Sequence, residues 1–220
     1  FSKLYKLYFI FLLICFKGFI GWYMVKSGLV DRVDVSHFRL STHLVIAFLI
    51  LSLILWNYLK IKQKNEISNK INPIIPFLFL FLIFVQISIG AFVSGLDAGK
   101  IYNSWPLMGS TYFPDDSDFI NLFKLSALSD PSLVQFIHRN LAYVIGIFYF
   151  FIFYKIYKNK MIDLYKSVNF LGCFIILQII LGIFTIMLGA QIYIASIHQI
   201  SSIFLVSSCV YFLYINTNSN

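Results

Sequence analysis

Apolar residues run through this chain in stretches too long and too unbroken to serve as one face of a soluble helix. Six of them, at roughly 5–26, 41–60, 74–95, 132–154, 167–189 and 193–214, are almost free of charge. About 20 apolar residues in helical form cross a hydrocarbon core of about 30 Å, so the pattern predicts an all-α integral membrane bundle of six transmembrane helices. Polar punctuation separates the spans. Lys60, Lys62, Lys64, Glu66 and Lys70 make one turn, closed by Pro73 and Pro76, and Lys155, Lys158, Lys160, Asp163 and Lys166 make another. The longest break, roughly 96–131, is rich in Asp, Ser and Pro.

Composition agrees. Of 220 residues, 60% are hydrophobic and 12% charged, against about 25% charged in a typical soluble domain. The net charge of +8 forms no continuous basic face, so nucleic acid is not the partner it points to. It points to orientation in a lipid bilayer instead. One side of the chain collects Lys3, Lys6, the four lysines of 60–70 and the four of 155–166, against two acids. The other collects Lys26, Arg32, Arg39, Lys100, Lys124 and Arg139 against seven acids, with Lys17 inside a span. The excess of ten over six places both ends of the chain in the cytoplasm or its mitochondrial equivalent, and loops 27–40, 96–131 and 190–192 outside. Cys15, Cys173 and Cys209 all fall within apolar runs and read as small buried hydrophobes, with no CxxC pattern. No charged n-region and cleavage site precede the first span, so no removed signal peptide is read before Phe1.

A unit recurs along the spans. Lys17, Gln86 and Gln178 each stand four residues before a glycine (Gly21, Gly90, Gly182), which puts the polar residue and the glycine on one helix face where a neighbour or a flat ligand can approach closely. Each of these spans is followed, across an outer loop, by one with a histidine near its start: His43, His138 and His198. Ionisable side chains inside membrane spans are functional-site candidates, and neutral imidazole is a common axial ligand of heme iron. His138 and His198 form the natural pair. His37, in the polar run Asp34-Val-Ser-His-Phe-Arg39, reads as a solvated loop residue. Arg139 and Arg39 can pair with a heme propionate or with a lipid phosphate.

The residues that carry this pattern also carry a resemblance. Gly18-Phe-Ile-Gly-Trp-Tyr-Met-Val-Lys-Ser-Gly-Leu29, Asp34-Val-Ser-His-Phe-Arg-Leu-Ser-Thr-His43, Gly90-Ala-Phe-Val-Ser-Gly-Leu-Asp-Ala-Gly99, Tyr102-Asn-Ser-Trp-Pro-Leu-Met-Gly109, Gln135-Phe-Ile-His138-Arg-Asn-Leu-Ala-Tyr143 and His198-Gln199 together resemble the heme A synthase family, in its mitochondrial and alphaproteobacterial branch. The resemblance implies oxidation of the C8 methyl of heme O to a formyl group, with water-derived oxygen, giving heme A for cytochrome c oxidase assembly. It also implies an inner-membrane location, bacterial or mitochondrial. Family members are similar in having eight spans in two four-helix halves, so residues 1–70 would be the remainder of the substrate half and 71–220 the heme b half.

Carried over by motif, His138 and His198 would ligate the iron of a resident heme b, Arg139 would help hold that cofactor, and His43 would serve the substrate heme iron. Heme O synthase as a supplier, a membrane electron acceptor and a homo-oligomer are the partners the resemblance brings. The family's acidic catalytic residue and the histidine that partners His43 belong to two earlier spans. Their place would lie upstream of Phe1, so the chain reads as an N-terminally truncated copy not expected to turn over alone. Lys17 stands where the family has glutamine.

Two other readings share some of these features. A b-type cytochrome that only carries electrons would need the histidine pair but not the 95–109 loop. A transporter with histidine proton relays would need acids deep in its spans, and Lys17 is the sole charged residue there.

Overall fold

A computed structural model describes residues 2–28, 35–62 and 70–217 of the chain. Residues Arg32, Asp34, Lys64 and Glu66 of the charge count lie outside the described residues. Six long helices make up the fold: α1 Ser2–Gly28, α2 His37–Lys62, α3 Ile74–Gly95, α4 Pro131–Lys158, α5 Ile162–Met187 and α6 Ile192–Thr217. Each is long and apolar enough to cross a membrane, and no strand occurs among the described residues. The chain is a multi-pass membrane protein.

The helix ends follow local chemistry. Asp130 caps α4 by accepting from the backbone N–H of Ser132 and Leu133, with Pro131 in the first helical position. Asn72 accepts from the Ile74 N–H (3.0 Å) at the start of α3. At the end of α5 the chain reverses through Gly189 and Ala190, both at positive φ (67° and 53°). The Ala190 N–H reaches back to Thr185 O (2.8 Å) and that of Gly189 to Ile186 O (2.9 Å), so the last carbonyls of α5 are satisfied.

The helices outrun the apolar stretches that announce them. α4 continues to Lys158 and α5 begins at Ile162, so the expected polar turn 155–166 shrinks to residues 159–161. Lysines do not end a helix at a membrane surface, because their stems can lie along it while the ammonium reaches water. Here each lies over an aromatic ring one turn back: Lys60 over Trp56, Lys62 over Tyr58, Lys155 over Phe151 and Lys158 over Tyr154.

Helices α3, α4, α5 and α6 pack in a closed ring, each against the next and α6 against α3. Consequently α4 and α6 stand diagonally across it. α2 lies in the groove between α3 and α6, and α1 packs on α2. α6 is the most buried of the six, and Val206, Cys209 and Phe212 on it are inaccessible to solvent, as are Phe79, Ile152, Leu164 and Leu171 on the other helices of the ring. Two polar devices fix the ring. Asn216 accepts from the Ile71 N–H (3.0 Å) and donates to Ile71 O (2.9 Å), tying the entry to α3 onto the end of α6. Gly172 makes room for Tyr149: a Cβ there would lie 1.9 Å from the Tyr149 hydroxyl, which donates to Val168 O (3.2 Å).

One reading from the sequence needs correction here. Cys209 is buried, but Cys15 and Cys173 are exposed on the outside of the bundle. A membrane protein buries apolar side chains against lipid as well as against itself, so position within an apolar run does not tell inside from outside.

Candidate functional site

The three glycine–histidine pairs come together in space. A Cβ built on Gly90 would stand 3.0 Å from Cε1 of His138, one on Gly21 3.0 Å from Cε1 of His43, and one on Gly182 3.3 Å from Cε1 of His198. Each imidazole therefore rests edge-on against the bare backbone of the preceding helix. Any side chain there would press on the ring, so the glycine at each position is a seat for it. Each histidine lies in the second turn of its helix, at the end of the bundle where the 96–130 segment runs, which places the three rings at one depth.

The polar residue of each repeat supports the same seat in two of the three hairpins. Gln86 Nε2 donates to His138 O (3.0 Å) and lies 3.4 Å from His138 Nε2. Gln178 Nε2 donates to His198 O (3.1 Å) and to Ser201 Oγ (2.6 Å), whose hydroxyl also donates to His198 O (2.9 Å). In the first hairpin Lys17 occupies this place and its main-chain carbonyl stands near the His43 ring, as that of Gln86 does near His138, both outside hydrogen-bonding geometry. The Nδ1 atoms of His43, His138 and His198 are all buried without a hydrogen-bond partner. Buried polar atoms in that condition are rare and call for an explanation. His138 and His198, on diagonal helices, are close enough to interact electrostatically. His43 belongs to the separate α1–α2 hairpin.

His37 is not a solvated loop residue. It is the first residue of α2, half-buried, with its ring edge-on to Phe92 (5.3 Å between centroids) and beside Phe38. Its Cβ sits so close to Gly95 that a Cβ there would come within 2.8 Å. The helix starts four residues earlier than the apolar stretch, and that turns His37 inward. Arg39 lies over the Tyr23 ring (4.8 Å) and donates to Ser27 Oγ, joining α2 to α1.

Arg139 is buried and faces the 96–130 segment. Its guanidinium donates to Ser104 O (2.9 Å), Leu107 O (3.2 Å) and Tyr102 O (2.9 Å), while Nε has no partner. Sequence reasoning missed the residues that join it: Gln135, which donates to Tyr102 O (3.0 Å), and Tyr143, which accepts from Trp105 Nε1 (2.9 Å). Their four-residue spacing with Arg139 was the available signal. The segment is ordered by its own bonds too. Short 3₁₀ turns form at Ala98–Lys100, Phe119–Phe123 and Leu125–Ser129. Tyr102 donates to Asp115 Oδ1 (2.5 Å) and Ser132 to Asp116 Oδ2 (2.6 Å). Burial, and then the Asp115 carboxylate, push the Tyr102 hydroxyl above its ordinary pKa and keep it a neutral donor.

Among the described residues, no group of three or more His, Cys, Asp or Glu side chains is placed to hold a bare metal ion.

The chain is similar to known proteins over nearly its whole length. The curated heme A synthase of Pelagibacter ubique is 47% identical over 215 residues, 98% of this chain and 63% of that protein. Those of Flavobacterium johnsoniae and Rickettsia prowazekii are each 40% identical, over 90% and 94% of this chain and 60% and 63% of their own lengths. The chain thus spans about three-fifths of the length of these relatives. The family model COX15-CtaA, cytochrome oxidase assembly protein, matches residues 2–210 and so takes in all three glycine–histidine hairpins. By that match, over nearly its whole length, the chain belongs to the COX15-CtaA family of cytochrome oxidase assembly proteins.

Proposed function

We propose that this chain works in heme A synthesis, the oxidation of the C8 methyl group of heme O to a formyl group for cytochrome c oxidase. The observation that carries the reading is the pair His138 and His198, each seated on a glycine of the preceding helix and set on diagonal helices, in a chain whose relatives are named heme A synthases. His138 and His198 hold a resident heme b in the α3–α6 half, residues 71–220. His43 serves the substrate heme in the half to which residues 1–70 belong.

The residues fit such a group. The ring Nδ1 atoms are buried without partners, the glycine seats hold each ring against the preceding helix, and the helices around them are apolar. When bound, heme b supplies one-electron transfer. The protein's own part is to hold the two imidazoles at one depth, to fix their helices through Gln86 and Gln178, and to keep bulk water out. Overall, one methyl group and one water yield one formyl group, four protons and four electrons, and the electrons pass to a membrane acceptor. Heme O arrives from the membrane, with heme O synthase as its source. The lysine-rich end of the bundle faces the cytoplasm or matrix of an inner membrane, following the positive-inside rule.

Chromatography of extracted hemes tests the reading, after expression in a host that makes heme O. Heme b should purify with this chain, and heme A should accumulate once its substrate half is completed with the preceding spans of a heme A synthase relative. Heme b without any conversion of heme O by that completed protein would favour a b-type electron carrier. A protein that holds no heme would overturn both.

A further inference from the structure

The segment between α3 and α4 crosses the end of the bundle where the three histidines lie, and it is fastened on two sides. Toward α5, a Cβ on Gly99 would stand 3.0 Å from Cβ of Ala190, and Asn103 Nδ2 donates to Ile186 O (3.1 Å) as well as to Gly99 O (3.1 Å). Toward α4, Gln135, Arg139 and Tyr143 form a single stripe at four-residue spacing, and all three bond to residues 102–107. Met108, just beyond, is 1% exposed and Arg139 6%. The stripe lies about 100° around α4 from His138, on the side turned to α5. The segment therefore passes over the α3–α4–α5 corner of the ring, on the end where His138 and His198 lie.

We propose that Arg139 is a positioning residue, a clasp that draws residues 102–107 across the loop end of the bundle and so closes that end over His138 and His198. The proposal rests on the reading that this pair holds heme b. It differs from the expectation that Arg139 serves the cofactor by pairing with a propionate. Both terminal nitrogens are committed to three main-chain carbonyls of one segment, a task for a planar fork with several donors. A lysine keeps the charge but cannot reproduce the fork, and this separates the two roles.

The test compares Arg139→Lys, Arg139→Gln and the milder Tyr143→Phe with the wild-type protein. Amide hydrogen exchange reads the segment directly: the Met108 N–H donates to Thr111 O (2.7 Å) and the Gly109 N–H to Ser104 Oγ (2.9 Å). Transfer of heme to apomyoglobin reads closure of that end, and the heme midpoint potential reads its dryness. Both Arg139 variants should exchange these amides and lose heme about tenfold faster, the scale of a lost charged hydrogen bond. Their potential should fall, because water stabilises the more highly charged ferric form. Tyr143→Phe should move all three readouts the same way by less, and it keeps the test alive if Arg139→Gln fails to fold. Arg139→Lys with wild-type heme loss and potential would show a charge role and overturn the proposal. Unchanged exchange would overturn it, and so would faster exchange with unaltered heme loss and potential. A wild-type protein without heme sinks the heme reading instead, and exchange on that apoprotein still decides whether Arg139 clasps the segment.

Discussion

Gly90 lies against the edge of the His138 imidazole so closely that a β-carbon on it would stand 3.0 Å from the ring's Cε1. That contact recurs at Gly21–His43 with the same 3.0 Å and at Gly182–His198 with 3.3 Å. The glycines are therefore as much part of the site as the histidines.

Graded substitution of the seats should show this. Gly90→Ala forces the ring to give by a few tenths of an ångström, an overpacking cost of about 1–3 kcal/mol. Gly182→Ala, with the looser contact, should cost less, and Gly90→Val more than either. Heme content per protein and the sharpness of the reduced heme band measure the order, which should run wild type, Gly182→Ala, Gly90→Ala, Gly90→Val. Equal heme content in all four would contradict the seat.

His37 separates packing from ligation. Its ring packs edge-on to Phe92, so His37→Ala should lower stability by about 1 kcal/mol, the scale of an aromatic pair, and leave the heme spectrum unchanged. Thermal melting alongside the visible spectrum checks both halves of the statement. A spectrum altered by His37→Ala would give that residue a ligand role.

Gly172 and Tyr149 test the α4–α5 contact away from the heme. With only 1.9 Å between the phenol oxygen and a Cβ at position 172, Gly172→Ala should destabilise the protein by about 1–3 kcal/mol. Tyr149→Phe in the same background should restore only part of that, because the ring carbon Cζ would still lie 2.5 Å away. Melting temperatures of the two variants and the double variant give the answer.

The outer segment should tolerate alkali. The Tyr102 hydroxyl is raised by burial and by Asp115, so its folded pKa exceeds its unfolded one. Its contribution is then fully present below the unfolded value of about 10, falls above it, and is gone once pH has climbed through the higher folded value. Ultraviolet titration of Tyr102→Phe should show one fewer late-ionising tyrosine than the wild-type protein. An unchanged number in Tyr102→Phe would assign the late ionisation elsewhere.

Much of this was legible in the sequence because the bilayer imposes it. Apolar length fixed six helices, and the four-residue spacing of Gln86 to Gly90 and Gln178 to Gly182 announced seats that the structure then fills with His138 and His198. What escaped was orientation about the helix axis. Apolar runs look alike whether they face lipid or core, so Cys15 and Cys173 could not be told from Cys209. Helix ends escaped for a related reason. Lysines extend α4 to Lys158 without breaking it, and a polar run at the start of α2 turns His37 toward Phe92. The partners of Arg139 are main-chain carbonyls of a segment with no periodicity, which no side-chain pattern could reveal.

The central claim is that His138 and His198 bind one heme from two sides. Low-temperature electron paramagnetic resonance of the oxidised protein tests it most directly, on wild type, His138→Ala and His198→Ala. Wild type should give a low-spin signal of two imidazole ligands, and each single variant should lose it for a high-spin signal or for no heme at all. A low-spin signal that survives in either variant would contradict the account.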